Sequence, residues 1–494
     1  MQAIREIRNT FVPVSRLPPE ILSRVLEYRT SERDLVAATH VCRYLRSTLI
    51  SSSVLWTCFQ FQSDHDLDRT LTYLERSEPA PIYATINISS SQDPEVLNYL
   101  VPHIARTRSL AILGSHKVHT SSLLFCNPAP SLQHLEINSS EGFVHLDDFL
   151  GKRAPSLRSV TFSGICPTFI FPLPNLTEFS LYLSEGTGPF RTSTLFRFFS
   201  NSPLLRKIHI SVPSSKTVRD IPPNQTISLE SLVELEYTHN PSDRVLPCLK
   251  LPRLKRLQVS CPLKPGQAQK LADILPYNGH AFLAGATKML YHSMENYEQD
   301  LLKVELSGNG VSVTFTAFCT MDYPSVNWFT NQTCIPFCQI EDLKVESYTI
   351  TGTDFPIPAS HFKSLRVLRI ASMNVQGIKW FLAMLHSSIW EGVPCRFLHE
   401  IECTFEAQWD LPWSLIRQLY SIARERKQAG HQLGLVRFLV ARGSGWDFVE
   451  ELRKHVGEVR VEEWDARPEG GSTIISGFTS MLNELLPFAA DVHD

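Results

Sequence analysis

From residue 132 onward one hydrophobic pattern recurs: an apolar residue, two others, an apolar residue, one other, an apolar residue. It runs as Leu132-Gln-His-Leu135-Glu-Ile137, Leu157-Arg-Ser-Val160-Thr-Phe162, Leu176-Thr-Glu-Phe179-Ser-Leu181 and Leu205-Arg-Lys-Ile208-His-Ile210. Two more units follow, Leu232-Val-Glu-Leu235-Glu-Tyr237 and Leu254-Lys-Arg-Leu257-Gln-Val259. After a gap the pattern returns as Ile340-Glu-Asp-Leu343-Lys-Val345, Leu365-Arg-Val-Leu368-Arg-Ile370 and Leu398-His-Glu-Ile401-Glu-Cys403. The alternation that ends each unit puts two side chains on one face of a short strand. The first six units start 25, 19, 29, 27 and 22 residues apart, which leaves room for one strand and one helix or loop each.

Helical patterns fall between the strands, at 145–152, 193–200, 267–275, 377–387, 412–427 and 446–456. Prolines such as Pro155, Pro174 and Pro252 stand two residues before a strand unit and stop whatever helix precedes it. The predicted fold class is an α/β solenoid that resembles an irregular leucine-rich repeat array. Its middle breaks the spacing: Leu302-Lys-Val304-Glu-Leu306, the turn Gly308-Asn309-Gly310 and Val311-Ser-Val313-Thr-Phe315 predict a hairpin over about 301–318. That hairpin reads as an insertion or an enlarged repeat.

The N-terminal segment has a different texture. Leu17-Pro18-Pro19-Glu20-Ile21-Leu22 opens a helix in which Ile21, Leu22, Val25 and Leu26 share a face. Ser31 and Asp34 have capping-box spacing ahead of a second helix at Leu35. A third helical run, Val41-Cys42-Arg43 through Leu49, leads to Leu55-Trp56. Three short helices bury little surface alone, and this module has more apolar residues than its own core can hide. The four separated elements, in this order and spacing, resemble an F-box, a small all-α module. Leu45 and Arg29 depart from that family's usual pattern, which has a tryptophan and an apolar residue there. Chains joining an F-box to such an array are abundant in fungi. The implied organisation is an extension (1–14), the F-box (15–60), a connecting helix or linker (61–80, helix 66–76), the array (81–465) and a tail (466–494).

Composition narrows the function classes. A net charge of −3 with 20% charged and 43% hydrophobic residues is ordinary globular composition. It lacks the Lys/Arg surplus that phosphate neutralisation requires, so no nucleic-acid partner is expected. No apolar run approaches 18 residues, and the charged start, Met1 to Arg8, does not read as a signal peptide. The 11 cysteines contain no Cys-x-x-Cys pair and are expected to be reduced, in a cytoplasmic or nuclear protein with no membrane partner. The sequons at Asn87, Asn138, Asn175, Asn224 and Asn331 then read as chance matches.

No catalytic or metal signature stands up. Gly308-Asn309-Gly310 lacks the third glycine of a dinucleotide fingerprint, and Gly443-Ser444-Gly445 lacks the spacing of a hydrolase elbow. Asp64-His65-Asp66 lacks the later residues of a calcium loop, and His116-x-x-His119 has no third ligand in view. No enzyme activity, cofactor or metal is expected.

The F-box resemblance implies an adaptor that joins a protein substrate to the linker subunit, and through it the cullin scaffold, of an SCF-type ubiquitin ligase. Its docking residues would be Leu17, Pro18, Pro19, Glu20, Ile21, Leu22, Val25, Leu35, Val41, Cys42, Arg43 and Trp56. The alternative is a non-ligase scaffold for protein–protein interaction with a degenerate F-box. On the strands, the residues between apolar positions include Glu136, Glu178, Glu234, Glu236, Asp342, Glu346, Glu400 and Glu402, against four basic residues. That excess predicts a mildly acidic substrate-binding face. A loop site near Trp380, Trp390, Trp409 and Trp413 is the competing location.

Overall fold

The computed structural model describes residues 12–27, 32–63, 66–88, 95–114, 123–139, 143–145, 150, 154–168, 172–184, 187, 190–213, 217–218, 220, 226–238, 245–263, 275–277, 283–295, 300–319, 335–347, 359–372, 379, 382–383, 385, 395–405, 413–441 and 448–464. They fall into two units, Met1–Leu232 and Val233–Asp494.

In the first unit the Pro18 carbonyl accepts the amides of Ile21 and Leu22 at 3.0 Å. Pro19, with its φ preset and no amide to orphan, then opens α1 (Pro19–Glu27). Helix α2 (Glu32–Thr39) starts three residues before the position its apolar pattern indicates, and puts Glu32 and Asp34 at its positive end. Helix α3 is Arg43–Ser51. Val41 and Cys42 precede it rather than forming its first turn. Cys42 is extended (φ −155°, ψ 165°), and its thiol accepts the Leu45 amide at 3.5 Å as the cap. Two bonds tie the helices together: Tyr44 Oη donates to the Leu17 carbonyl at 2.7 Å, and Arg46 Nε to the Thr39 carbonyl at 2.9 Å. A 3₁₀ turn, Ser53–Trp56, folds Trp56 back so that its Nε1 donates to the Leu49 carbonyl at 2.8 Å.

The sheet of this unit begins earlier than the sequence pattern indicates. Strand β1 (Cys58–Phe61) follows Trp56 directly, and α4 (Leu67–Arg76) connects it to β2 (Ile82–Ile88). The later strands are β3 (Thr107–Gly114), β4 (His134–Ser139), β5 (Ser159–Ser163), β6 (Glu178–Tyr182) and β7 (Lys207–Ser211). Each pairs in parallel with the next in sequence. Two rows of inward residues run across them, Phe59-Ala84-Leu110-Leu135-Val160-Phe179-Ile208 and Phe61-Ile86-Ile112-Ile137-Phe162-Leu181-Ile210, all buried. Parallel neighbours need crossovers, and these cover the apolar face. In α5 (Thr192–Ser200), Phe198 lies with its ring centroid 4.5 Å from that of Phe179.

The second unit has β8 (Glu234–Thr238), β9 (Arg256–Leu263), β10 (Lys288–Glu295), β11 (Asp300–Gly308), β12 (Val311–Cys319) and β13 (Asp342–Ser347). Then come β14 (Val367–Ser372), β15 (Glu400–Phe405), α6 (Trp413–Gln428), β16 (Leu435–Ala441), α7 (Phe448–Arg453) and β17 (Glu458–Trp464). The hairpin is no excursion from this sheet. Strand β12 pairs in parallel with β9, β11 runs antiparallel between β12 and β10, and β10 pairs in parallel with β13. A reversed three-strand meander is thus stitched into a parallel sheet, and β10, its third strand, has no counterpart in the sequence pattern. A buried row crosses all ten strands, from Leu235 through Leu257, Val313, Leu306, Met289, Leu343, Leu368, Ile401 and Val436 to Val459.

The tail from 466 lies outside the described residues, as do residues 267–274 of the helix expected at 267–275 and most of that expected at 145–152; of the helix expected at 377–387, residues 379, 382, 383 and 385 are described and are helical. The helix expected at 446–456 is the shorter α7.

Candidate docking and recognition surfaces

The three-helix module sorts its apolar residues into two sets. Leu22, Leu35 and Trp56, grouped with the docking residues on sequence alone, are 2%, 5% and 1% exposed. They build the core with Leu45 and Leu49, so they support a surface rather than form one. Ile21, Val25 and Val41 are 48%, 57% and 69% exposed. Ile21 and Val25 lie one helical turn apart, on one face of α1. Pro18, Pro19, Glu20 and Arg43 are also exposed, and Leu17 and Cys42 are half-buried. Val36 and Val54 add exposed apolar surface that the sequence reading did not single out. This much aliphatic surface in water on so small a module makes it a candidate docking surface.

Trp56 joins this module to the sheet. Its ring meets Tyr73 of α4 edge-on at 4.9 Å, and the Arg76 guanidinium lies 4.5 Å over its face. Burial, reinforced by the nearby Glu32 carboxylate, pushes the Tyr73 hydroxyl up to about 12. Glu32 accepts the Gln60 amide at 2.8 Å and faces Arg69 at 3.6 Å, which ties α2 to β1 and α4. A cleft of about 590 Å³ opens beside this junction, lined by residues including Leu26, Glu32, Val54, Gln60, Tyr83 and Thr85. Of the two carboxylates that line it, Glu27 and Glu32, the second is engaged by the Gln60 amide and Arg69.

Residues 14–62 match the family model described as F-box-like. The module is an F-box-like domain. F-box domains in general bind the linker subunit of SCF complexes, and this one supports a substrate-adaptor role in that general sense. The match includes β1, so the F-box-like domain supplies the first strand of the sheet that follows it. No curated protein matches the chain.

The acidic residues of the strands occupy the face opposite the apolar rows, but they do not form the acidic surface expected from counting them. Most have a cation or a donor from a neighbouring strand. Glu178 meets Lys207 at 3.5 Å, Glu234 meets Arg256 at 3.6 Å, and Glu236 accepts from Gln258 at 3.1 Å. Arg369 Nη1 reaches both Asp342 oxygens at 2.6 and 2.8 Å, and the bond raises the pKa of the guanidinium. Arg437, on a strand outside the nine units counted, sits 3.1 Å from Glu402 and 3.6 Å from Glu462. Glu400 lies in the field of Arg369 and Arg460. Glu136 is exposed.

The tightest group is at Glu346. His292 Nδ1 lies 2.9 Å and Lys344 Nζ 2.5 Å from its two oxygens. The His292 hydrogen bond, opposed by burial and helped by Lys344, pulls the Glu346 carboxyl down to about 2. His292 belongs to β10, so its part here could not be read without that strand.

Trp380, Trp390 and Trp409, His116 and His119, and Gly443 to Gly445 lie outside the described residues, as does the side chain of Trp413. Among the described residues no three His, Cys, Asp or Glu side chains are grouped to hold a metal ion, and no helix is long and apolar enough to cross a membrane. Cys395 and Cys403 are buried, and burial pushes both thiols up to about 12, far from nucleophilic.

Proposed function

We propose that this protein is a non-enzymatic substrate adaptor of an SCF-type ubiquitin ligase, working in the cytoplasm or nucleus. The observation that carries the reading is an F-box-like match whose core, Leu22, Leu35 and Trp56, is buried while Ile21, Val25 and Val41 are left in water. The exposed set docks on the linker subunit. The parallel strands, read as one per repeat in a leucine-rich-repeat-like array, hold the substrate protein. Tethering raises the concentration of substrate lysines near the charged ligase without any chemistry by the adaptor. The departure at Leu45 does not argue for a degenerate module, because Leu45 is 7% exposed and fills the core instead of the surface.

The test is co-purification of the full chain with the linker subunit, parent against Ile21→Asp/Val25→Asp. Both positions are exposed, so the variant keeps its fold and loses the linker. Retention of the linker at parent level by the folded variant overturns the adaptor reading in favour of a scaffold.

A further inference from the structure

Three cations outside the acidic stripe form a row of their own. They stand at the leading ends of the strands in the first unit. There Arg108, Gln133, Arg158, Thr177 and Arg206 occupy one row, each joined to the next through the backbone. The Gln133 amide donates to the Arg108 carbonyl at 2.8 Å, Arg158 to Gln133 at 2.9 Å, Thr177 to Arg158 at 2.8 Å and Arg206 to Thr177 at 2.8 Å. An arginine therefore recurs on every second strand. All three are exposed, and none has an ion-pair partner among the described residues. The neighbouring Lys207 is engaged by Glu178. The equivalent row of the second unit is different: Arg366 there faces Glu341 across the row at 3.8 Å.

Two strand spacings of roughly 4.8 Å separate successive arginines by about 9.6 Å. A polyproline-type peptide repeats every three residues with a pitch of about 9.3 Å. Carboxylates at positions i, i+3 and i+6 of such a peptide would meet the three guanidiniums in register. Gln133 and Thr177, between them, offer polar side chains to the peptide backbone.

We propose that this arginine row binds an extended acidic protein segment carrying Asp or Glu at every third position. The proposal rests on the adaptor reading only in calling that partner the substrate; the binding itself does not require the linker. A protein segment is favoured over nucleic acid because three isolated cations at this spacing match a peptide pitch, whereas tight nucleic-acid binding neutralises many phosphates.

The test uses the full chain and a fluorescein-labelled synthetic peptide with Glu-Pro-Ala repeated four times, read by fluorescence anisotropy at low and physiological salt. The expected result is binding that weakens as salt rises and is absent for the Gln-Pro-Ala counterpart. Arg108→Gln/Arg158→Gln/Arg206→Gln should weaken it at least tenfold. Arg33→Gln/Arg417→Gln/Arg424→Gln removes equal charge from other exposed positions and should leave it unchanged. Absence of binding at low salt, equal losses in the two triple variants, or tighter arginine-dependent binding of an oligonucleotide of equal charge overturns the proposal. Linker co-purification is scored separately, so loss of the linker reading and loss of peptide binding are distinct results.

Discussion

The F-box-like domain and the strand face it leads into solve opposite problems. The domain hides Leu22, Leu35 and Trp56 and leaves Val25 and Val41 in water, because three short helices enclose too little volume for all five. The two rows named in the first unit and the one named in the second are buried, and in the second unit cross-strand ion pairs cover much of the other face. One region leaves aliphatic side chains in water. The other pairs most of its strand carboxylates and leaves Glu136 and the arginine row without an ion-pair partner among the described residues. Function is therefore to be sought where the fold leaves something unmatched, and charge counting alone looks in the wrong place.

The sharpest way to break this comparison is at the residue that joins the two regions. Trp56→Ala removes a fully buried ring, its bond to Leu49, the edge contact with Tyr73 and the platform under Arg76. A loss of about 3–5 kcal/mol is expected, as for other buried aromatic truncations. Urea unfolding of the full chain followed by circular dichroism should show an early transition that the parent lacks. An unchanged unfolding curve would mean that the domain does not depend on this junction.

The next effect belongs to the ion-paired face. The folded protein holds Glu346 at about 2, below the ordinary 4.5, so its stabilising contribution is complete above about pH 4.5. It fades as pH falls towards 2, where the folded state also takes up the proton. A depression of that size corresponds to about 3 kcal/mol at most. Urea midpoints of the parent, measured from pH 5 to pH 2, should fall more steeply than those of Glu346→Gln. Parallel curves for the two proteins would show that His292 and Lys344 do not hold this carboxylate.

The contrast inside the F-box-like domain comes third. Val41→Asp changes a residue that is 69% exposed and should alter stability by no more than about 0.5 kcal/mol. At an interface anchor it should cost about 2 kcal/mol or more, roughly 30-fold in linker affinity. Leu35→Ala, at 5% exposure, should do the reverse and lower stability first. Thermal melts and linker titrations on the two variants would separate docking surface from core. Matching behaviour would erase the division.

How much of this was legible in the sequence follows from what each signal encodes. The six-residue pattern marks strands whose inward positions are large and apolar, so β4 through β9 and β13 to β15 are visible in it. Strand β1 is hidden because only Phe59 and Phe61 point inward, directly after the Trp56 turn, where a helical module is still being read. Strand β10 alternates as Met289-Leu290-Tyr291-His292, with Leu290 half-buried on the outer face, so the period of two is blurred. Missing β10 concealed His292, and leaving out β16 concealed Arg437. The acidic stripe was thus counted without two of the groups that pair it. The F-box resemblance needed no structure, because it rests on spaced motifs. Which of its residues face outward could not be read, since Leu22 and Val25 belong to the same apolar run of α1.

The smallest effects test the one place where the parallel sheet is interrupted. The β11–β12 hairpin turns through Asn309 (φ 51°) and Gly310 (φ 77°), the two left-handed residues of a type I′ turn. A Cβ on Gly310 would meet nothing within 4 Å, so Gly310→Ala isolates the backbone penalty, about 1 kcal/mol. Gly308 is the opposite case. Its added Cβ would collide with the Gly285 carbonyl and sit 2.8 Å from the Thr287 amide, where the chain leading into β10 packs against the hairpin. Gly308→Ala should therefore cost more, about 1–3 kcal/mol, because backbone rather than a flexible side chain must yield. Both losses should show in urea midpoints of the full chain, with Gly308→Ala the lower. The reverse order would mean that turn conformation, and not the close approach of β10, holds the meander in the sheet.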